Sequence, residues 1–166
     1  MKTTARIGII LLTLMGCVGC DQATKLMARE HLPPGEMISL LGDTLRLEYT
    51  ENSGAFLSVG HTLPPSLRSA LFIFGAVLIV SAVLVWALRS RQLSRVGVIG
   101  AALVCGGGFS NVIDRVSYGG HVVDFLNVGI GSLRTGIFNV ADMALMLGIA
   151  LLLYGGRPAQ PAPVER

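Results

Sequence analysis

Four long apolar runs punctuate the chain: Ile7–Cys20, Ala70–Leu88, Val96–Ile113 and Gly136–Gly156. A hydrocarbon core of about 30 Å takes about 20 helical residues to cross. The second run, with 19 uncharged residues, and the fourth, with 21 residues and one aspartate, meet that length. The third has 18 residues and five glycines (Gly97, Gly100, Gly106, Gly107, Gly108). Small residues of that kind suit close packing against neighbouring helices. The first run has only 14 residues. It reaches spanning length if its helix continues through Asp21 and Lys25 to about Ala28, and those two residues, spaced i, i+4, pair on one face. The pattern predicts an all-α integral membrane protein with four transmembrane helices, over about 7–28, 68–88, 96–113 and 136–156.

Between the first two runs, ISLLGDTLRL (Ile38–Leu47) includes an alternating stretch with a Gly42-Asp43 turn. This predicts a small hairpin within an outer loop of about 36–60. Leu45, Leu47 and Tyr49 then share one strand face, free to rest on the bilayer or on the helix tops. Pro33-Pro34-Gly35 and Pro64-Pro65 break the chain on either side. HVVDFLNVGIG (His121–Gly131) reads as a short loop joining the third and fourth helices. The Pro-rich end, 157–166, reads as a disordered tail. Everything before it is expected to form one membrane domain, 1–156.

Basic residues set the orientation. Met1–Arg6, Arg89–Arg95 and the tail hold Lys2, Arg6, Arg89, Arg91, Arg95, Arg157 and Arg166 against a single acid, Glu165. The two long connections hold six basic and eight acidic residues over about three times the length. This asymmetry predicts both termini on the cytoplasmic side and both long loops outside. Composition agrees with the membrane reading: 52% of residues are hydrophobic and 14% charged, where soluble domains carry about 25% charged. Mean hydropathy is +0.66. No interleaved aromatic and basic stretch suggests nucleic acid as a partner. Cys17 and Cys20 form a C-x-x-C pair inside an apolar run, without a second pair or an H-x-x-x-H spacing. No metal site or other cofactor is therefore expected. A charged start, an apolar stretch and LMGC (Leu14–Cys17) also resemble a lipoprotein precursor. Three further apolar runs favour an uncleaved first helix.

Few polar residues lie at membrane level. Asp21, Gln22 and Lys25 fall at the outer end of the first helix, and Asn111, Asp114 and Arg115 at that of the third. Asn139 and Asp142 fall in the first turns of the fourth, with Asp142 about 9 Å along it if the helix starts at Gly136. All three clusters converge on the outer leaflet boundary. An ionisable group inside a membrane is a functional candidate by default. Asp124, isolated among Val122, Val123, Phe125 and Leu126, is the natural partner for Asp142. Two carboxylates held close in a low-dielectric site share a proton, as in aspartic proteases. Ser117, His121 and Asp124 make a weaker case for a serine hydrolase, because nothing like G-x-S-x-G is present. A small transporter or proton relay using the same two aspartates is the alternative from another class. Such a device favours charges near the midplane and inverted repeats, and neither is seen here.

DQATK (Asp21–Lys25), NSGAF (Asn52–Phe56), NVIDR (Asn111–Arg115) with GGHVVDF (Gly119–Phe125), and FNVAD (Phe138–Asp142) occur in this order. Together they resemble the motif blocks of bacterial lipoprotein signal peptidase, also called signal peptidase II or prolipoprotein signal peptidase, an aspartyl protease family. The resemblance implies a multi-pass enzyme of the bacterial cytoplasmic (inner) membrane, with its active site at the outer (periplasmic) leaflet. Its substrate would be a diacylglyceryl-modified prolipoprotein, cut before the lipidated cysteine, with membrane lipid around it. The cyclic peptide globomycin would block it. By motif, Asp124 and Asp142 resemble the catalytic pair. Asn111, Arg115 and Asn139 resemble the residues that orient the pair and bind substrate backbone. Asn52 and Gly54 fall in the loop that forms a β-cradle and substrate clamp. Asp21, Lys25 and Asp114 resemble structural polar positions, with Asp114 pairing with a basic neighbour. One departure is visible: Ser110 stands where the third block has glycine.

Overall fold

The computed structural model describes residues 1–54 and 63–155. The tail, 157–166, and the Ala55-Phe56 end of the second motif block lie outside the described residues, as does the end of the outer loop. Four helices and a small sheet make up the rest. Helix α1 (Thr3–His31), α2 (Pro65–Arg89) and α3 (Arg95–Ser117) are each long and apolar enough to cross a membrane. Helix α4 (Val140–Gly155) is apolar but shorter, with 16 residues.

Helix α3 is the hub, packing against α1, α2 and α4. Its glycines explain how. A Cβ on Gly107 would stand 2.4 Å from the Ala141 carbonyl oxygen, and one on Gly100 would stand 2.8 Å from that of Gly148. In turn, a Cβ on Gly148 would meet the Gly100 carbonyl at 2.7 Å. Backbones pack on backbones along the α3–α4 seam, so no side chain fits between them. Helix α2 is the opposite case. It buries only Ala87 and presents Phe74, Leu78 and Ile79 outward, the surface of a lipid-facing helix. Arg6, buried near the start of α1, holds the end of α2: its Nη1 donates to the carbonyls of Ala87 and Leu88, and also to that of Ser90.

The sheet runs in the order β1 (Met37–Leu40), β2 (Leu45–Asn52), β3 (Val122–Ile130), β4 (Leu133–Arg134), antiparallel throughout. The turn between β1 and β2 carries positive φ at Leu41, Gly42 and Asp43 (52°, 61° and 69°). The Asp43 carboxylate accepts from Arg46 Nε and Nη2 at 2.7 and 2.6 Å, and from Ser39 at 2.7 Å. Those donors, Arg46 foremost, hold its carboxyl well below the usual carboxylate range.

Two expectations need correcting. The segment after α3 is not a loop: nine of its residues form β3, whose Val122, Val123, Asp124 and Phe125 are all buried. Both faces of its first half are covered, with Phe125 packed into a cluster with Ala28 of α1 and Leu32 at its C-cap, and Leu47, Tyr49 and Val140 around it. Strand alternation is therefore absent from its sequence. Second, the last helix begins at Val140 rather than Gly136. Phe138 is instead bridged to Leu126 of β3, accepting from Phe125 N and Leu126 N at 3.0 and 2.8 Å and donating back at 2.8 Å. That bridge extends the chain just before the helix starts.

The glycine seam gives a test of this packing. Gly107→Ala is expected to cost about 1–3 kcal/mol, the usual range for overpacking. Gly75→Ala, where a Cβ meets nothing within 4 Å, is expected to be neutral. Thermal unfolding in detergent reads both; equal melting of the two variants would contradict the seam.

Candidate active site

The polar residues of α1, α3, β3 and α4 form one buried network. At its base is Lys25, 2% exposed. Its Nζ lies 2.7 Å from Asp21 Oδ2 and 2.9 Å from Asp114 Oδ2, and it donates to Asn111 Oδ1 at 2.9 Å. Both carboxylates have zero side-chain exposure. Buried charges persist when they are paired and hydrogen-bonded, and each carboxylate also accepts from a backbone N–H. Asp114 Oδ2 accepts from Val123 N at 3.1 Å, and Asp21 Oδ1 accepts from Ala141 N at 2.7 Å. Val123 precedes Asp124, and Ala141 precedes Asp142. One ammonium thus fixes the backbone next to both candidate catalytic aspartates.

Asn139 joins the two aspartates directly. It precedes α4 and exchanges bonds with Asp142: Asp142 N donates to Asn139 Oδ1 at 2.9 Å, and Asn139 N donates to Asp142 Oδ2 at 3.2 Å. This reciprocal pattern is a capping box, and it satisfies N–H groups that a helix start leaves bare. Asp142 therefore sits in the first turn of α4, not about 9 Å along it. The Asn139 side-chain amide lies 2.7 Å from Asp124 Oδ1, with Asn111 Oδ1 and the Val123 carbonyl farther off at 3.2 and 3.3 Å. Asn111 Nδ2 donates to Asp142 Oδ1 at 3.0 Å. From the sheet, Asn52 Nδ2 donates to Asp124 Oδ2 at 3.0 Å. Asn52 stands opposite Val122 in the register, with Thr50 opposite Asp124, so its side chain reaches Asp124 on the diagonal.

Burial pushes the Asp124 carboxyl up to about 6, and the nearby charge of Asp142 acts in the same direction. The bonds from Asn52 and Asn139 act against it by favouring the charged form. A carboxyl that changes charge near neutrality, beside a second carboxylate, is suited to moving a proton.

Arg115 stands apart from this arrangement. Its Nη1 donates to the Asn111 carbonyl and its Nη2 to that of Gly54, both at 3.2 Å. Its guanidinium lies over Phe72 at 5.7 Å. Among the described residues it makes no hydrogen bond to either aspartate, and its buried Nε has no partner. Gly54 N in turn donates to Asn52 Oδ1 at 2.9 Å, so Arg115, Gly54, Asn52 and Asp124 form a chain.

Two residues escaped the sequence assignment of the site. Ser110 Oγ donates to Asp21 Oδ2 at 2.7 Å. Gln22 Nε2 donates to Ser110 Oγ at 3.0 Å and to Asp114 Oδ1 at 2.8 Å. Local spacing carries no signal for either role, because the partners lie 88, 89 and 92 residues apart.

Comparison with known proteins shows the family. The family model for Signal peptidase (SPase) II matches residues 13–156. The chain belongs to that family. The lipoprotein signal peptidase of Halothermothrix orenii is 34% identical over 133 residues, covering 80% of this chain and 84% of that protein. That of Desulforapulum autotrophicum is 33% identical over 156 residues, 93% of this chain and 94% of the relative. Among solved structures, a bacterial membrane enzyme determined by the in meso method at 1.9 Å resolution superposes with a TM-score of 0.79 at 26% identity. The match covers 89% of this chain and 92% of that one.

Removing the ammonium tests the base of the network. Lys25→Met leaves two buried carboxylates without their cation and is expected to destabilise the fold by about 3–5 kcal/mol. Ser110→Ala removes a hydrogen bond to one charged group and is expected to cost less, about 1.5–3 kcal/mol. Unfolding in detergent checks the order; a Lys25→Met variant as stable as the parent would contradict it.

Proposed function

We propose that this chain is an aspartic endopeptidase that removes the signal peptide from diacylglyceryl-modified prolipoproteins, cutting before the lipidated cysteine. The observation that carries the reading is Asn139, which binds Asp124 through its side-chain amide and Asp142 through a capping box. Two carboxylates, one on β3 and one in the first turn of α4, are thereby held as one unit.

In the proposed reaction the pair holds one proton. The ionised carboxylate takes a proton from water, which attacks the scissile carbonyl carbon, while the protonated carboxyl donates to the carbonyl oxygen. The tetrahedral intermediate collapses when the leaving amine receives a proton from the pair and one of the intermediate's hydroxyls returns a proton to it, which re-forms the carbonyl and restores the single shared proton. The titration belongs to the two groups together, so neither role is assigned to one aspartate. Asn111 and Asn139 hold the carboxylates in place. Arg115, whose buried Nε has no partner among the described residues, and the Asn52–Gly54 segment are positioned to bind substrate backbone. A globomycin-type cyclic peptide would compete for the same place.

The topology belongs to the proposal as well. Four crossings with both termini on the cytoplasmic side of the bacterial inner membrane place the sheet and the dyad at the outer leaflet. Helix α4 would enter from there, with Asp142 in its first turn at the polar boundary and the rest of its 16 residues apolar. The capping box shields the carboxylate where it enters.

Purified protein in detergent, supplied with a diacylglyceryl-modified prolipoprotein, tests the dyad. Asp124→Asn and Asp142→Asn are each expected to lower turnover by at least about 10²-fold, the lower range for losing acid–base catalysis, with melting behaviour kept. Near-parental turnover by either variant would remove that residue from the mechanism.

A further inference from the structure

At the end of the molecule opposite the dyad, a cleft of about 380 Å³ is lined by Met1, Thr3, Arg6, Leu88, Arg89 and Arg91. That volume falls within the range of small-ligand sites. Arg6 is 7% exposed and is fixed by the α2 carbonyls it caps. All of those bonds run from Nη1. Among the described residues its Nη2 and Nε have no protein acceptor, and no acid pairs with Arg6, Arg89 or Arg91. The nearest acid along α1 is Asp21, about 22 Å from Arg6 at 1.5 Å per residue. Three arginines therefore line one cleft, with no carboxylate paired to them among the described residues.

A second depression shares Arg89 and Arg91 with this cleft and runs up the outer face of α2 past Trp86, Val85, Ala82 and Leu78. Above the arginines Ser81 is the one polar side chain in a lining that is otherwise apolar. Trp86 is 47% and Leu78 71% exposed, and no described residue covers them. A cationic cleft continuous with an apolar groove matches one kind of molecule: an amphiphile with an anionic head and hydrocarbon chains. Basic pockets between membrane helices are suited to phosphate-bearing headgroups, and arginine takes phosphate through paired N–H donors.

We propose that this cleft and groove form a binding site for an anionic phospholipid. Its phosphate sits among Arg6, Arg89 and Arg91, and an acyl chain lies along Trp86, Val85, Ala82 and Leu78. The site is separate from the dyad and does not depend on the reaction assigned to it.

Trp86 is the only tryptophan in the chain, so its fluorescence reports on the groove alone. The full-length protein is reconstituted in vesicles of mixed phosphatidylcholine and phosphatidylglycerol of fixed proportion, with one of the two lipids brominated on its acyl chains. Both leaflets have the same composition, so the direction of insertion does not affect the reading. Per mole of brominated lipid, phosphatidylglycerol is expected to quench Trp86 with an affinity about fivefold or more above phosphatidylcholine, the scale of one basic residue against an anionic lipid surface. The preference is expected to persist in 0.5 M NaCl and to disappear in the double variant Arg89→Gln/Arg91→Gln, which leaves the buried Arg6 cap intact. Equal quenching by the two lipids would overturn the site. So would a preference that salt abolishes, which indicates diffuse surface attraction. Loss of the preference on adding inorganic phosphate would reassign the cleft to a soluble anion and overturn the lipid.

Discussion

The ammonium of Lys25 holds the site together. It sits between two buried carboxylates from different helices, and each carboxylate also accepts from one backbone N–H. Asp114 reaches Val123 and Asp21 reaches Ala141, the residues immediately before Asp124 and Asp142. A buried ion pair by itself is weak evidence for stability. Here its value is geometric, because removing the cation would release the anchors of β3 and α4 together. Ser110 and Gln22 complete the shell by donating to the same two carboxylates.

Above this base, Asn139 couples the aspartates. Its amide and carbonyl address different partners, Asp124 and the Asp142 backbone, so its orientation settles both. The cap also answers why an apolar helix tolerates a carboxylate. Asp142 stands at the helix start, where N–H groups lack partners, rather than within the uniform apolar stretch that follows. The glycine seam between α3 and α4 makes this possible. Only at such close approach does Asn111 on α3 reach Asp142 on α4.

Much of this was legible in the sequence, and the failures have physical causes. Long apolar runs located the helices, since hydrocarbon length constrains them strongly. The polar residues within those runs marked the site because each is expensive there. Strand β3 was missed because VVDF is buried on both faces and so shows no alternation. The start of α4 was misplaced for a related reason: apolarity from Gly136 onward does not distinguish a helix from an extended segment, and the Phe138–Leu126 bridge, invisible to local pattern, decides it. Ser110, noted only as a departure from the motif, turned out to donate a hydrogen bond to Asp21. That role depends on a partner 89 residues away, beyond the reach of local spacing.

The claim on which the mechanism rests is that Asp124 is a buried carboxyl influenced by Asp142. The most direct measurement is its own titration, read from the infrared carboxylic-acid band as the difference between the native protein and Asp124→Asn across pH 3–8. A midpoint near 6 is expected, moving lower in Asp142→Asn because the neighbouring negative charge is gone. A midpoint near 3.9, the value of a free aspartate, unchanged by Asp142→Asn, would contradict the coupled pair.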